Sequence, residues 1–349
     1  MTEKNNVIFE TGKFSKLNSF IKKGKYSKLI VLSDSNTMTH CYPIVAKNCP
    51  AIQYADLLEI DAGEEFKTLD TCKQLWEAMS EAHIDKNALL INLGGGVVTD
   101  IGGFVASVYK RGIEFINIPT SVMAMADASI GGKNGVDLNS VKNQLGTITQ
   151  AKAVFINTVF LLTLPQRHLA NGMAEVVKMA LISDSKLIKD LLNPKMSIEP
   201  LIKKSIQLKS SVVKKDPYDK GVRKILNFGH TVGHAIESCF LGTEDELLHG
   251  EAIAIGMLIE SLIAFDKKMI KENELQSIVD IISPNYTVLQ FSEPEQKKII
   301  EYMFHDKKNK NQKIRMSLLN KLGSCKYDIE VSVAQIEKAF NSYHQLIGN

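Results

Sequence analysis

His230 and His234 stand one helical turn apart in Asn227-Phe-Gly-His-Thr-Val-Gly-His234, and His249-Gly-Glu251 opens the next segment. Histidines at i and i+4 share one face of a helix. Glu175 lies on an earlier helical segment, with Lys178 one turn on. Two histidines and a carboxylate from separate helices, with one position left for water or substrate, make a catalytic divalent-metal site. Spacing alone leaves open which of His230 and His234 ligates. His40, His83, His168, His305 and His344 have no such company and read as ordinary polar residues.

Two further groups carry chemistry. Gly94-Gly95-Gly96-Val97-Val98-Thr99-Asp100 follows an apolar run and opens an apolar helix. Glycines at a strand-to-helix turn let backbone approach a pyrophosphate, and the helix N-terminus offers unpaired N–H groups. The turn matches neither GxGxxG nor GxxxxGK[ST]. Polar loops at Ser33–Asn36 and Gly63–Lys67 add to the case for a dinucleotide, because α/β sheets bind ligands where strands end. Asp127-Ala-Ser-Ile-Gly-Gly-Lys133, Lys142-Asn143 and Tyr109-Lys110-Arg111 collect cations and glycines suited to a phosphate or carboxylate.

These residues need a scaffold. The short β-branched runs at 28–33, 88–93, 115–118 and 153–156 read as buried parallel strands. The stretch 70–83 reads as a crossover helix, so the first part is a Rossmann-like α/β layer. After Leu164-Pro165 the periodicity turns helical, over roughly 165–184, 198–215, 222–240, 250–267, 272–283, 292–305 and 332–346. A hairpin is expected on either side of Gly323. The expected domains are therefore a Rossmann-like domain over 1–164 and a mainly helical domain over 165–349.

With 42 basic and 39 acidic residues the chain is too evenly charged for a general polyanion binder. The first residues have no apolar stretch behind them and do not read as a signal peptide. No apolar run is long enough to span a membrane. Five dispersed cysteines without CxxC spacing fit a reducing cytosol, so a cytoplasmic location is expected.

The blocks GEEFK (63–67), GGGVVTDIGGFVAS (94–107), YKRG (109–112), IPTS (118–121), DASIGGKNGVD (127–137), LPQRHLANGMAEVVK (164–178), DPYDKGVRKILNFGHTVGHAIES (216–238), LHGEAIAIGM (248–257) and DKK (306–308) occur in this order. Over nearly the whole chain this resembles the 3-dehydroquinate synthases and their sugar-phosphate cyclase relatives. The resemblance implies zinc or cobalt held by Glu175, His230 and His249, with His234 left for substrate contact or proton transfer. It implies NAD contacts from Asp34, Glu64, Lys67, the turn Gly95, Gly96, Val97, Val98, Thr99 and Asp100, then Thr120, Ser121, Lys133, Lys142 and the turn Phe160, Leu161, Leu162 and Thr163. Substrate contacts are implied for Asp127, Lys133, Asn143, Lys178, Lys209, Arg223, Asn227, His234 and a lysine of the Lys307-Lys308 pair. Of these, Lys133, Lys178, Lys209, Arg223, Asn227 and His234 form the catalytic set. Arg111 matches an arginine that reaches the substrate phosphate of a neighbouring subunit, which implies a homodimer.

The implied reaction turns 3-deoxy-D-arabino-heptulosonate 7-phosphate into 3-dehydroquinate and phosphate. A hydroxyl is oxidised, phosphate leaves by β-elimination, the carbonyl is reduced again, and the opened ring closes by an aldol addition. Three departures from the family pattern stand out. Asp219 replaces a usual glutamate and is expected on one helix face with Arg223; Asn139-Ser-Val141 and Thr147-Ile-Thr149 alter the surroundings of the Lys133–Asn143 loop. Competing readings are a cyclase making 2-deoxy-scyllo-inosose or an epi-valiolone, a metal-dependent alcohol or glycerol dehydrogenase, and a binding module without catalysis. The clustered cations argue against the dehydrogenase, because an uncharged alcohol does not need them.

Overall fold

The computed structural model describes residues 7–138, 141–286, 289–305 and 314–348. Lys307, Lys308, Asn139 and Ser140 lie outside the described residues. The chain divides into two compact units, Met1–Pro165 and Gln166–Asn349.

The first unit is built on β1 (Val7–Phe9), β2 (Leu29–Asp34), β3 (Asp56–Ile60), β4 (Leu89–Gly94), β5 (Glu114–Pro119) and β8 (Val154–Ile156), all parallel in the order β1-β8-β5-β4-β2-β3. Every residue of β4 is buried, as a strand covered on both faces requires. Asn92 of β4 is nonetheless polar, and its amide donates to Asn117 Oδ1 on β5 at 2.9 Å. The connections from β2 and β4 leave in opposite directions along the sheet, which makes their carboxyl ends the topological switch point. Asp34 ends β2, and Gly94 ends β4. The Ser33–Asn36 segment is the junction of β2 with the helix Ser35–His40, which Asp34 caps by accepting the Thr37 N–H at 2.7 Å.

The segment expected as a polar loop after Gly132 is an antiparallel hairpin of β6 (Lys133–Leu138) and β7 (Val141–Ile148). It packs on the helix Gly96–Val108. Gly135 faces Gly146 across it, and a Cβ on Gly135 would lie 2.5 Å from the Leu145 carbonyl oxygen.

The second unit contains the helices Gln166–Ser183, Ser185–Leu191, Ile198–Lys215, His230–Phe240, His249–Asp266, Glu272–Ile282, Glu293–His305 and Val333–Ile347. Its hairpin, β9 (Ile314–Lys321) and β10 (Ser324–Val331), turns at Gly323 with φ +79°. The helix expected over 222–240 is broken. A 3-10 turn, Val222–Asn227, precedes Gly229 at φ +79°, and the α-helix begins at His230. The helix His249–Asp266 is buried continuously from Gly250 to Ala264 and forms the centre of the unit. Among the described residues no helix is long and apolar enough to cross a membrane.

Candidate functional site

Glu175 is the most deeply enclosed charge of the histidine cluster, at 1% exposure on the helix Gln166–Ser183. The His230 Nε2 lies 3.5 Å from its Oε1, and the His249 Nε2 lies 3.7 Å from the same oxygen. The Lys178 ammonium, one turn on, contacts Oε2 and stands 3.4 Å from the His230 Nε2. Neither Glu175 oxygen receives a well-aligned hydrogen bond. Burial alone would raise this carboxyl, but the Lys178 ammonium and His249 overcome it and hold the group well below the usual carboxylate range.

The outer ring nitrogens are occupied. His230 Nδ1 is 3.1 Å from the Phe228 carbonyl oxygen, and His249 Nδ1 is 3.3 Å from Glu237 Oε2. With Nδ1 of each ring engaged by these oxygens, Nε2 is the ring atom turned toward Glu175, the orientation in which metal-ligating histidines are held. Burial would lower His249, but Glu237 and Glu175 together push it up to about 10. Without metal the pocket therefore draws a proton, and a divalent cation meets the same demand for positive charge. His230, His234 and His249 each also offer one ring nitrogen, and these three atoms lie within 4.8 Å of one another. His234 is the exposed member, with its ring centroid 5.0 Å from that of His230. A buried carboxylate with no well-aligned hydrogen bond, beside inward-facing Nε2 atoms, suits a zinc-type ion. Glu251 takes no part, because Arg167 grips it at 2.8 and 2.7 Å and it caps its own helix at Leu248.

Buried cations lie on neighbouring elements. Lys178, Lys209 and Arg223 are 2%, 5% and 3% exposed. Lys209 is on the helix Ile198–Lys215, which packs on the Val222–Asn227 turn carrying Arg223 and Asn227. Asp216 accepts the N–H groups of Lys220, Gly221 and Arg223, while Arg223 Nη1 donates to the Pro217 carbonyl at 2.8 Å. Asp219 is not on a helix face with Arg223. It occupies the intervening turn, at φ +57°.

In the first unit Glu64, Lys67, Asp100, Lys142 and Asn143 converge. Lys67 Nζ donates at 2.7 Å to both Asp100 Oδ2 and Asn143 Oδ1, and Lys142 Nζ is 3.6 Å from Glu64. Burial would lower Lys67, but Asp100 and Glu64 hold it well above its ordinary value. The side chain of Asn143, implied for substrate, is thus engaged by a residue implied for NAD. Thr120 N–H donates to the Gly94 carbonyl at 3.0 Å, which brings the Thr120-Ser121 turn beside the glycines.

Those glycines differ in their reasons. A Cβ on Gly94 would fall 2.5 Å from Val98, so that glycine serves packing. On Gly95 or Gly96 a Cβ would meet nothing nearer than 3.7 Å, and Gly95 has φ −74°. Neither interior packing nor backbone conformation asks for glycine there. Close approach by a ligand at the helix N-terminus does, which fits a dinucleotide pyrophosphate. The Val98 and Thr99 side chains face the interior, Phe160 packs on Phe14 with ring centroids 5.7 Å apart, and Leu162 is exposed. Asp127 sits in the π-helical turn Ala124–Ala128, and Lys133 opens β6 with its side chain exposed. Arg111 is exposed in a turn where Lys110, Arg111 and Gly112 have φ +47°, +64° and +108°. Glu237 and Asp137, which accepts the Asn143 N–H at 2.6 Å, lie inside the blocks 216–238 and 127–137, but spacing gives them no role, because their partners are set by the fold.

The family model described as 3-dehydroquinate synthase N-terminal matches residues 57–171, and its C-terminal counterpart matches 172–309. A 3-dehydroquinate synthase of Parabacteroides distasonis is 37% identical over all of both chains. One from Campylobacter jejuni subsp. doylei is 41% identical over 75% of this chain and 77% of its own. The 2-epi-5-epi-valiolone synthase of Streptomyces hygroscopicus, solved with NAD+ and Zn2+, superposes with TM-score 0.86 at 26% identity, covering 99% of this chain and 98% of its own. A 2-deoxy-scyllo-inosose synthase with carbaglucose-6-phosphate, NAD+ and Co2+ gives 0.83 at 25%, covering 98% of each chain. The glycerol dehydrogenase of Schizosaccharomyces pombe, at 0.68 and 14% over 99% of this chain and 90% of its own, shares the fold alone.

The glycine geometry separates binding from stability. Gly95→Ala and Gly96→Ala should change unfolding free energy by no more than about 0.5 kcal/mol. Each should weaken NAD binding, followed by calorimetry, about tenfold or more, the result of a clash of roughly 1.4 kcal/mol. Undiminished NAD binding would remove the ligand explanation for these glycines.

Proposed function

The chain belongs to the 3-dehydroquinate synthase family, and from that premise we propose that it is a carbon–oxygen lyase converting 3-deoxy-D-arabino-heptulosonate 7-phosphate into 3-dehydroquinate and phosphate. It serves the shikimate pathway and acts in the cytoplasm. The first unit is the NAD-binding domain, and the second binds metal and substrate. When bound, NAD supplies a reversible hydride store and the zinc or cobalt ion supplies Lewis acidity at a substrate hydroxyl. Glu175, His230 and His249 hold the ion, a reading supported by the buried carboxylate and the two Nε2 atoms turned toward it. Lys178, Lys209, Arg223 and Asn227 bind the substrate's anionic groups, with Asp127, Lys133 and the Lys307-Lys308 pair completing the set. His234, the exposed histidine of the cluster, exchanges a proton with the substrate.

The observation that carries the assignment is the concentration of buried positive charge, Lys178, Lys209 and Arg223, in the unit holding the histidine cluster. Buried cations gathered there favour an anionic substrate over an uncharged alcohol, and a sugar phosphate that is also a 2-keto acid supplies two anions. A charge-assisted hydrogen bond to carboxylate is worth roughly 1.5–3 kcal/mol. We therefore expect at least about a hundredfold preference for the heptulosonate over glucose 6-phosphate or sedoheptulose 7-phosphate, which lack the acid. Released phosphate and carbocyclic product, measured with each sugar phosphate in turn, test this. Faster turnover of either neutral sugar's phosphate would transfer the chain to the inosose or valiolone type of cyclase. NADH accumulating with turnover would mark a dehydrogenase.

For the metal, Glu175→Gln, His230→Ala and His249→Ala should each lose bound zinc and activity together, whereas His234→Ala should keep zinc and lose rate. Zinc content by atomic absorption decides. If His234→Ala loses the ion and Glu175→Gln retains it, the three-histidine arrangement is the ligand set.

Arg111 acts on the substrate phosphate of a second subunit in a homodimer. Its support is the turn Tyr109–Arg111, where two successive non-glycine residues take left-handed conformations that cost energy and present the guanidinium outward. Mixed dimers of Arg111→Ala with Glu175→Gln chains should recover part of the wild-type rate, because one site per dimer is then complete. Verified heterodimers with no recovery would show that Arg111 serves its own chain.

A further inference from the structure

On the reading that Glu175, His230 and His249 hold a divalent metal, we infer that Glu237 and Glu260 are positioning residues forming a reciprocal clamp between the helices His230–Phe240 and His249–Asp266. Each helix begins with a histidine of the cluster and carries, further along, a buried carboxylate that fixes the start of the other helix. Glu237 belongs to the first helix, and its Oε2 is 3.3 Å from His249 Nδ1 at the head of the second. Glu260 belongs to the second helix. Its Oε2 accepts the Gly229 N–H at 2.7 Å, and its Oε1 accepts the Val232 N–H at 3.1 Å.

The N–H groups around the first turn of a helix have no partner within the helix. The usual remedy is a side chain at the N-cap, but the N-cap here is Gly229, which has none. Glu260 supplies the missing acceptors from a different helix, at 0% exposure. It thereby holds the turn whose Phe228 carbonyl is 3.1 Å from His230 Nδ1. Glu237, at 6% exposure, does the corresponding work for His249 directly. Both constraints turn an Nε2 toward Glu175.

The helices also leave each other no slack. A Cβ on Gly256 would lie 2.1 Å from the Gly229 carbonyl oxygen, and one on Gly233 would lie 3.0 Å from the Ile253 Cα. With the backbones in contact, loosening either carboxylate shifts both histidines. Stabilising a fold and positioning a ligand are separable roles, because only the second changes the affinity and coordination geometry of a bound ion.

The test is cobalt binding to the full-length protein. The apparent Kd is measured by chelator competition, the d–d absorption of the bound ion is recorded, and the thermal unfolding of the metal-free protein is followed in parallel. Glu237→Gln and Glu260→Gln should each weaken cobalt binding by about 10–100-fold and alter the visible spectrum. The loss in the double variant should fall short of the product of the single losses, because one broken side already frees both histidines. If Glu260→Gln does not fold, Glu237→Gln and Glu237→Asp carry the comparison on their own. Variants that unfold at lower temperature yet bind cobalt with wild-type affinity and spectrum would overturn the clamp. A wild-type protein that binds no cobalt or zinc would overturn the metal reading itself, and the clamp with it.

Discussion

A carboxylate at 1% exposure with no aligned hydrogen bond is the constraint to which the second unit is organised. Taking such a charge out of water costs several kcal/mol unless cations surround it. Lys178 supplies one from the same helix, one turn away. The remaining demand falls on His230 and His249, which come from two other helices and can approach only if those helices pack tightly. Gly250 shows how tightly, since a Cβ there would lie 1.9 Å from the Asn171 carbonyl oxygen on the helix bearing Glu175. Gly250 thus answers to the helix bearing Glu175, while Gly229 and Gly233 answer to the close packing of the helix His249–Asp266.

The first unit solves the opposite problem. A buried charge there is the Lys67 ammonium, already met by Asp100, Asn143 and Glu64. That network ties the hairpin β6–β7, through Asn143, to the helix that begins at Gly96. The glycine turn is thus held from within while its outer side stays open at Gly95 and Gly96. One unit has a buried anion with a demand for further positive charge; the other has a satisfied buried cation and a glycine turn left open on its outer side. Only the first arrangement calls for an ion.

Much of this was legible in the chain because the signals were local. The β-branched runs gave β2, β4, β5 and β8, and the i, i+4 spacing put His230 and His234 on one helix. What escaped depends on partners distant in sequence. β1 has three residues and is ordered by pairing with β8. β3 is an edge strand with mostly exposed side chains, so it lacks the apolar signature of its neighbours. The hairpin β6–β7 is glycine-bearing and polar, and its strand character comes from a facing backbone. The break at Gly229 was hidden inside an apolar pattern that runs through it with helical period. Glu260 lies outside every family block and Glu237 sits inside one with no role legible from spacing, because the groups they hold lie about 30 and 12 residues away.

Asp219 shows how a local backbone demand can account for a departure from a family pattern. The sequence placed it on a helix beside Arg223, where a shorter carboxylate would reach less far. The segment is instead a turn organised by Asp216, whose carboxylate gathers three N–H groups, and Asp219 sits in that turn with φ +57°. Left-handed backbone is costly for most side chains, and aspartate tolerates it better than glutamate does because its short carboxylate can bond locally. The guanidinium of Arg223 is steadied by the Pro217 carbonyl from within the same turn. The substitution therefore suits the conformation that presents Arg223, and the arginine's placement does not depend on a longer acid at 219. Fold alone would not have made this distinction: the glycerol dehydrogenase likeness extends over 99% of this chain, so an activity has to be argued from side chains such as Arg223 and the turns that hold them.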